Sequence, residues 1–426
     1  MKHFLLSLAA LAASTSAVNA QNGLTILPNP EDGSLMSTSM SANGRYVSGE
    51  YFGGAIAFIY DAETKTFSYT PETEMTSFFG VNDNGKGFGY FDDYAIVFDM
   101  DGNMTKLNED TYEDGTFAIA KHGTNDESFY VGNTYGMDYV THACYWKDGV
   151  KVDLPEPTSE WCGFEVNGTS AERITPDGSL IVGRIVDNWA AYPMVLWTRN
   201  ADGETYSVTY PCKRYFEGGY GSNPYIIFQA TATSENGKYV AIQMCDWEEN
   251  YYLGRYDTET DLLEYTSVTA EPSDGEEVEP EKATYNCNAV ANDGTMYFYK
   301  EVSGWGMQRT GYVWKAGEQT PVTLAEAFPA CEAFAGFDLN GVHTPTGVSA
   351  DGRYVSGFMA DENFDFHVYL FDTQAYSDES SVQGVQASKA EAKDIHGIDG
   401  VRRSVMERGV NIISTVDGRS FKAIKK

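Results

Sequence analysis

The sequence SANGRYVSG at residues 41–49 returns almost unchanged as SADGRYVSG at residues 349–357. Weaker copies of its central Asx-Gly step occur between these two. Taken at the glycine or its equivalent, the copies lie at residues 44, 85, 127, 178, 237, 294 and 352, and Glu127 replaces glycine in one of them. The copies are 41 to 59 residues apart. The chain therefore contains seven units that average about 51 residues.

Each unit predicts four antiparallel strands. Asn or Asp followed by Gly supplies the positive φ angles of a two-residue hairpin turn, so the quoted phrase joins a first strand to a second. A fourth strand is predicted after another tight turn, as at Phe67–Thr70, Val150–Leu154 and Tyr206–Tyr210. Four strands per unit, repeated seven times, predict an all-β, seven-bladed β-propeller. The third strand of each unit ends on an aromatic residue: Tyr60, Phe98, Trp146, Trp197, Tyr256, Trp314 and Phe371.

The two ends of the array predict how the ring closes. The seventh unit stops after its third strand, at residues 371–373. The mature N-terminus offers the missing strand, because LPNP at residues 27–30 repeats the form of LPEP at residues 154–157, which ends a fourth strand. We therefore expect residues 21–375 to form one closed propeller, with residues 24–28 as the outer strand of the last blade. Closure of this kind removes two open sheet edges.

Residues 1–20 have the features of a secretory signal peptide. Lys2 precedes an apolar run from Phe4 to Ala13, which is too short to span a bilayer, and Val18-Asn19-Ala20 resembles a signal-peptidase site. No later segment has 18 consecutive apolar residues, so no transmembrane segment is expected. The sequence thus predicts an exported bacterial protein, secreted or held at the cell surface.

Charge limits the possible partners. The formal net charge is −33, and residues 21–388 carry about −38 while residues 389–426 carry about +4. Such an acidic body repels nucleic acid and anionic membrane surfaces. The acidic residues form either a solvated coat or a surface that recruits cations or basic partners.

Six cysteines follow residue 140, and none forms a C-x-x-C pair. In an exported protein this even number permits disulfides, while free buried thiols are equally consistent with the sequence. The cysteines are Cys144, Cys162, Cys212, Cys245, Cys287 and Cys331.

No motif in the sequence names a reaction. The chain has no G-x-S-x-G, no H-E-x-x-H and no S-x-D-x-G-x-T-W phrase, and its histidines lack metal-ligand spacing. Residues 99–110 resemble a calcium loop, but Met104 stands at the sixth position, which needs glycine, so a hairpin turn is favoured. We expect no catalytic residue, cofactor or metal. A pair of catalytic carboxylates for glycoside hydrolysis stays possible. Such a pair is defined by the distance between two carboxyl groups in the folded protein, which the sequence does not give.

Two parts of the chain resemble known families. GVNDNG at residues 80–85 and ACYWKDG at residues 143–149 look like the HAF-type extracellular repeats of bacterial propeller proteins, a likeness that covers residues 24–373. The tail, residues 395–426, contains DGVRR at residues 399–403, RGVNII at residues 408–413 and DGRSFKAIKK at residues 417–426. With these phrases it resembles the C-terminal sorting signal of type IX secretion in Bacteroidota. That resemblance implies contact with the outer-membrane secretion machinery and surface attachment or release. We expect a linker at residues 376–394 and a small β module after it. The alternative role for this module is docking on the propeller.

Loop lengths predict where a ligand binds. In each blade, the first-to-second and third-to-fourth turns lie on one face, and here they are tight. We call the other face, which carries the second-to-third loops and the connections between blades, the long-loop face. Its connections are long at Glu156–Ile174, Cys212–Thr231 and Ala325–Thr346. Loops on a rigid scaffold commonly carry binding residues.

The long-loop face also collects aromatic residues beside acidic ones, a mixture that stacks on sugars or holds a protein partner. The sequence therefore favours a non-catalytic surface-binding protein with a glycan or protein ligand. A carbohydrate-active enzyme, either a hydrolase or a lyase, is the alternative, and a structural envelope component is the second alternative. The predicted ligand-binding residues are Tyr51, Phe52, Tyr94, Tyr135, Trp161, Trp189, Tyr192, Trp247, Trp305 and Phe364.

Overall fold

The computed structural model describes residues 22–31, 33–109, 116–158, 166–186, 194–209, 211, 225–248, 250–267, 283–302, 308–380, 392–397, 402–403, 409–415 and 420–425. The predicted signal peptide, Cys162 and Cys212 lie outside these residues. Two compact units are present, Met1–Tyr376 and Ser377–Lys426.

The first unit contains seven antiparallel sheets of four strands, which we call blades 1–7 in chain order. Blade 1 consists of β2 (Leu35–Met40), β3 (Tyr46–Tyr51), β4 (Ala57–Asp61) and β5 (Thr66–Tyr69). Blade 2 consists of β6 (Thr76–Val81), β7 (Gly87–Phe91), β8 (Tyr94–Phe98) and β9 (Met104–Lys106). Blade 3 consists of β10 (Phe117–Gly123), β11 (Tyr130–Tyr135), β12 (Thr141–Lys147) and β13 (Val150–Asp153). Blade 4 consists of β14 (Thr169–Ile174), β15 (Leu180–Ile185), β16 (Met194–Arg199) and β17 (Tyr206–Thr209).

The last three blades complete the ring and confirm the seven-bladed propeller. Blade 5 consists of β18 (Tyr225–Thr233), β19 (Tyr239–Asp246), β20 (Tyr251–Asp257) and β21 (Leu262–Ser267). Blade 6 consists of β22 (Ala283–Val290), β23 (Met296–Val302), β24 (Gln308–Trp314) and β25 (Val322–Thr323). Blade 7 consists of β26 (His343–Val348), β27 (Tyr354–Ala360), β28 (Phe366–Asp372) and the N-terminal strand β1 (Leu24–Ile26).

Strand β1 closes the ring, as the sequence predicts. It pairs antiparallel with β28, where Leu24 lies opposite Phe371 and Ile26 opposite Tyr369. The pairing extends to Leu27, whose N–H donates to the Val368 carbonyl at 2.8 Å. The innermost strand of blade 7 also contacts the innermost strand of blade 1.

The core of the propeller lies between neighbouring blades. One cluster of buried apolar residues joins each adjacent pair, including a cluster that joins blade 7 to blade 1 through Leu27, Val368 and Phe58. The aromatic residue at the end of each third strand is buried, and Trp146 belongs to the same apolar cluster as Phe88 of the preceding blade. The recurring third-strand aromatic thus serves blade-to-blade packing.

Every innermost strand contains a β-bulge at an equivalent position, and β18 contains a second register shift, between Tyr225 and Ile227. The strand register shifts between Ser37 and Ser39 in blade 1, and likewise in the other six blades. A glycine of the second strand faces the bulge in five blades. At Gly89, a Cβ atom would lie 1.8 Å from the Ser77 carbonyl oxygen, so this close approach requires glycine.

The connection from blade 6 to blade 7 differs from the loop expected at Ala325–Thr346. It contains two short helices, α1 (Leu324–Ala327) and α2 (Glu332–Leu339), and β26 begins at His343. A capping box between Thr323 and Glu326 starts α1. Phe334 and Phe337 of α2 are buried against blades 6 and 7, so the segment is part of the core. In the same way, β14 and β18 begin inside the other two predicted long loops.

The C-terminal part begins with a third helix, α3 (Thr373–Ser380), and residues 381–391 lie outside the described residues. The second unit contains a four-stranded antiparallel sheet in the order β30-β29-β31-β32. Its strands are β29 (Ala392–Gly397), β30 (Arg402–Arg403), β31 (Gly409–Thr415) and β32 (Ser420–Lys425).

Candidate functional site

Among the described residues, the long-loop face presents exposed aromatic side chains on the second-to-third loops of blades 1, 3, 5 and 7, while the corresponding loops of blades 4 and 6 lie outside the described residues. Phe52 is 61% exposed in blade 1, Tyr139 is 78% exposed in blade 3, Trp247 is 53% exposed in blade 5, and Phe364 is 68% exposed in blade 7. Met137 is also exposed, beside Tyr139. Three of these rings, Phe52, Trp247 and Phe364, belong to the predicted set.

Contacts within the protein hold the other described members of the predicted set. Tyr51 packs edge-on against Tyr69, with 5.8 Å between ring centroids. The Lys106 ammonium group lies 3.6 Å from the centroid of the Tyr94 ring. Tyr135 stacks on a phenylalanine of β10 and is half-buried. These three tyrosines support the loops rather than extending from them. Trp161, Trp189, Tyr192 and Trp305 lie outside the described residues.

Phe52 lies at the junction between blades 1 and 7. Its ring stacks on Phe366 with a centroid distance of 4.9 Å and an interplanar angle of 27°. Phe366 is buried at the start of β28, two residues after the exposed Phe364. Met75, which is exposed, precedes Thr76, and the Thr76 N–H donates to the Gly54 carbonyl at 2.8 Å. The loop that carries Phe52 therefore has an aromatic residue of blade 7 beside it and the segment of Met75, which leads into blade 2, bonded to it.

Acidic residues give the second-to-third loops their shape. In blade 5, Asp246 Oδ1 accepts from the N–H groups of Glu248 and Asn250, at 3.0 and 2.8 Å. Its Oδ2 accepts from the Asn250 side chain and from the Tyr252 hydroxyl, at 2.9 and 2.8 Å. Asp361 in blade 7 accepts from two backbone N–H groups in the same way. Both oxygens of Asp246 are thus occupied, which leaves little capacity for sugar hydroxyls.

His142 of β12 contacts both the second-to-third loop of blade 3 and the connection that follows β13. It lies 2.9 Å from Asp138 Oδ2 and 3.4 Å from Glu156 Oε1. Partial burial alone would lower the pKa of His142, but the hydrogen bonds to these two carboxylates outweigh burial and raise it. The same contact lowers the pKa of Asp138. This histidine supports the loop that carries Tyr139.

A second candidate site lies in the centre of the ring. We call it the central cavity, and its volume is about 190 Å³. The bulge residues of six innermost strands line it, and each of them precedes the first residue of the following turn by three positions. The same spacing from the turn can be read from the sequence. The six bulge residues are Thr38, Phe79, Lys121, Glu172, Thr231 and Asn288.

Charged groups concentrate on the blade 3 and blade 4 side of the central cavity. Glu172 Oε2 lies 3.4 Å from Lys121 Nζ, and its Oε1 accepts from Arg184 at 3.2 Å and from Ser170 at 2.8 Å. Burial would raise the pKa of Glu172, but the two cations and the hydroxyl lower it to about 2. Lys121 also lies 4.0 Å from the centroid of the Phe79 ring. Glu172 is therefore ionised at neutral pH.

On the face opposite the long-loop face, hydrogen bonds connect the first-to-second turns of neighbouring blades. The Asn43 N–H donates to Asp83 Oδ1 at 2.7 Å, and the Asp83 N–H donates to Asn125 Oδ1 at 3.0 Å. The Ala350 N–H donates to the Ala42 carbonyl at 2.7 Å, which links blade 7 to blade 1. Hydrogen bonds between turns thus fix the width of the ring at this end.

Among the described residues, no group of three His, Cys, Asp or Glu side chains could hold a metal ion. Residues 99–103 form the third-to-fourth turn of blade 2, and Asp99 Oδ1 accepts from two N–H groups of that turn. No helix in the described part of the chain is long and apolar enough to cross a membrane.

No protein-family model and no curated protein matches the chain. A puromycin hydrolase mutant is similar in structure, with a TM-score of 0.51 and 12% identity over 90% of this chain and 58% of that one. A prolyl endopeptidase structure gives a TM-score of 0.50 and 13% identity, over 90% of this chain and 55% of that one. TolB from Acinetobacter baumannii gives 0.42 and 14%, over 70% of this chain and 64% of that one. The chain thus spans less than two thirds of each of these proteins, and the likeness to the first two shows the propeller fold alone.

Proposed function

We propose that this propeller is a non-catalytic binding protein that holds a protein partner on its long-loop face. The observation that carries the proposal is the set of exposed rings on the second-to-third loops of blades 1, 3, 5 and 7, Phe52, Tyr139, Trp247 and Phe364. Isolated exposed apolar residues are ordinary, but here they share one face and stand on loops fixed by hydrogen bonds. A preordered loop loses little conformational entropy on binding.

The chemistry of the face favours a protein over a glycan. Exposed Met75 and Met137 accompany the rings, and aromatic residues and methionine are enriched at protein interfaces. Asp246, which would otherwise suit sugar hydroxyls, is occupied by its own loop. A glycan ligand is therefore the alternative outcome of the test below.

Charge on the same face defines the expected partner. Asp92, Glu248, Glu362 and Asp365 are exposed on the second-to-third loops of blades 2, 5 and 7. The protein body is strongly acidic as well. A partner with a basic rim around an apolar centre would match this surface, and steering by charge would make association faster at low salt.

We also propose that the protein acts outside the cytoplasm, through the signal peptide at residues 1–20 and a type IX sorting tail at residues 395–426. The resemblance of the repeats to HAF-type extracellular repeats, noted from the sequence, is one reason for this proposal. Deletion of residues 395–426 should reduce display at the cell surface, measured by fractionation and surface labelling. Unchanged display would refute the sorting role.

The binding proposal is tested with the full mature chain on panels of extracellular proteins and glycans. The variant Phe52→Ser/Trp247→Ser/Phe364→Ser should bind its partner at least tenfold more weakly than the native chain. The matched control Val150→Ser/Leu262→Ser/Tyr265→Ser removes three exposed apolar side chains from the outer strands β13 and β21. It should bind normally.

Three outcomes would overturn this proposal. Equal binding by the two variants would show that the exposed rings do not contact the partner. Binding confined to glycans would replace the protein partner. Release of product from a bound polysaccharide would support the carbohydrate-active enzyme instead.

A further inference from the structure

We propose that the central cavity is a second binding site, one that takes a small organic carboxylate through Lys121, Arg173 and Thr231. This site shares no residue with the exposed rings of the long-loop face. The two proposals can therefore fail independently.

Two residues that line the cavity carry buried polar atoms for which the described part of the protein supplies no partner. Arg173 Nε and Thr231 Oγ1 are buried and make no hydrogen bond. Both residues line the cavity. A buried donor that lacks a partner costs free energy, and a bound ligand or an ordered water can satisfy it. Since the Arg173 Nε–H can only donate, the group that satisfies it must be an acceptor.

The charges around the cavity also favour an anion. Its neighbourhood holds three cations, Lys121, Arg173 and Arg184, against two carboxylates, Glu172 and Glu235. Both carboxylates are already paired. Arg173 lies 3.0 Å from Glu235, while Glu172 accepts from Lys121 and Arg184. Free donor capacity therefore remains on the cations, in a protein whose surface is otherwise strongly acidic.

Size and lining favour an organic anion over a bare inorganic one. The volume of about 190 Å³ exceeds the cavity of about 150 Å³ that accommodates benzene in another protein. The Phe79 side chain is partly exposed and lines the cavity, so a flat apolar body could pack on it. A carboxylate on that body would then face Lys121 and Arg173.

The site follows from the seven bulges. A bulge places an extra residue in a strand and re-aims its side chain. In blades 3, 4 and 5 the bulge residues are Lys121, Glu172 and Thr231, so one side of the ring carries charge and hydroxyl groups. The propeller scaffold is thus compatible with different chemistry at each bulge.

The probe pair for this site is benzoate and its neutral isostere benzamide, titrated into the full mature chain by calorimetry. Benzoate should bind with one-to-one stoichiometry, and benzamide should bind at least tenfold more weakly. Thr231→Val preserves shape and removes the hydroxyl, so it should weaken benzoate binding about tenfold. Lys121→Met should weaken it by a similar or larger factor.

The control Lys151→Met makes the same charge change on β13, the outer strand of blade 3. It should bind benzoate as the native chain does. Thermal melting of each variant shows whether it is folded. Equal affinity for benzoate and benzamide, no saturable binding of either, or native affinity in folded Thr231→Val and Lys121→Met chains would each overturn the proposal.

Discussion

Closure of the ring by β1 makes a quantitative prediction about Leu24 and Leu27. These side chains are 4% and 1% exposed, and they belong to different clusters, Leu24 between blades 6 and 7 and Leu27 between blades 7 and 1. Replacing a buried leucine with alanine costs about 2–5 kcal/mol. The two positions are roughly 10 Å apart along an extended chain, so their effects should nearly add. Leu24→Ala/Leu27→Ala should therefore lose about 4–10 kcal/mol, most of the stability of a typical domain.

The assay is urea unfolding of the mature chain, followed by intrinsic fluorescence, with the midpoint compared among variants. Leu339→Ala removes an exposed leucine and should change the free energy of unfolding by less than about 0.5 kcal/mol. The double variant should also self-associate in size-exclusion chromatography, because loosening β1 exposes the edge of β28. A midpoint equal to that of Leu339→Ala would refute closure by β1.

Three other predictions concern buried groups. The pKa of Glu172 falls from 4.5 to about 2 in the folded chain, so its stabilisation is complete above about pH 4.5 and is lost as the pH falls towards 2. Thermal melts should therefore show a smaller loss of stability on acidification from about pH 5 to about pH 3 in Glu172→Gln than in the native chain. His343→Phe should destabilise the chain in urea by about 1–3 kcal/mol for each group left unsatisfied, because Asp338 and the Tyr369 hydroxyl both bond to this ring. Thiol titration should show slow native reaction but rapid reaction after unfolding at four buried cysteine thiols, Cys144, Cys245, Cys287 and Cys331.

The propeller could be predicted from the sequence because its turns impose local backbone requirements. Gly44 and Gly352 have φ angles of 75° and 74°, which few other residues adopt easily. Glu127 occupies the equivalent position with φ 59°, so even the degenerate copy marked a turn correctly. These requirements recur along the chain, and periodic recurrence is visible without any knowledge of contacts.

The exposure of individual aromatic residues could not be predicted in this way. Phe52 and Tyr51 are neighbours in sequence, yet only Phe52 extends into solvent, because Tyr51 packs on Tyr69 of the outer strand. Tyr94 is covered by Lys106, again from the outer strand of its blade. Whether an outer-strand residue covers a loop aromatic depends on how the strands pair. The spacing of residues within one loop does not predict that pairing.

The central cavity was missed for a related reason. The bulge residues share a position in each unit but differ in chemistry, so no repeated motif points to them. Lys121 and Glu172 are 51 residues apart in sequence and meet only when blades 3 and 4 pack together. The helices at residues 324–339 were missed because the connection was treated as a loop, although its phenylalanines have helical spacing.

The most direct test of the long-loop face as the binding surface is hydrogen–deuterium exchange of the mature chain, with and without its partner. We expect the partner to protect amides in the second-to-third loops around Phe52, Tyr139, Trp247 and Phe364. The tight turns at residues 43–45 and 351–353 should exchange at the same rate in both states. Protection confined to the tight turns, with the long-loop face unchanged, would contradict the proposal.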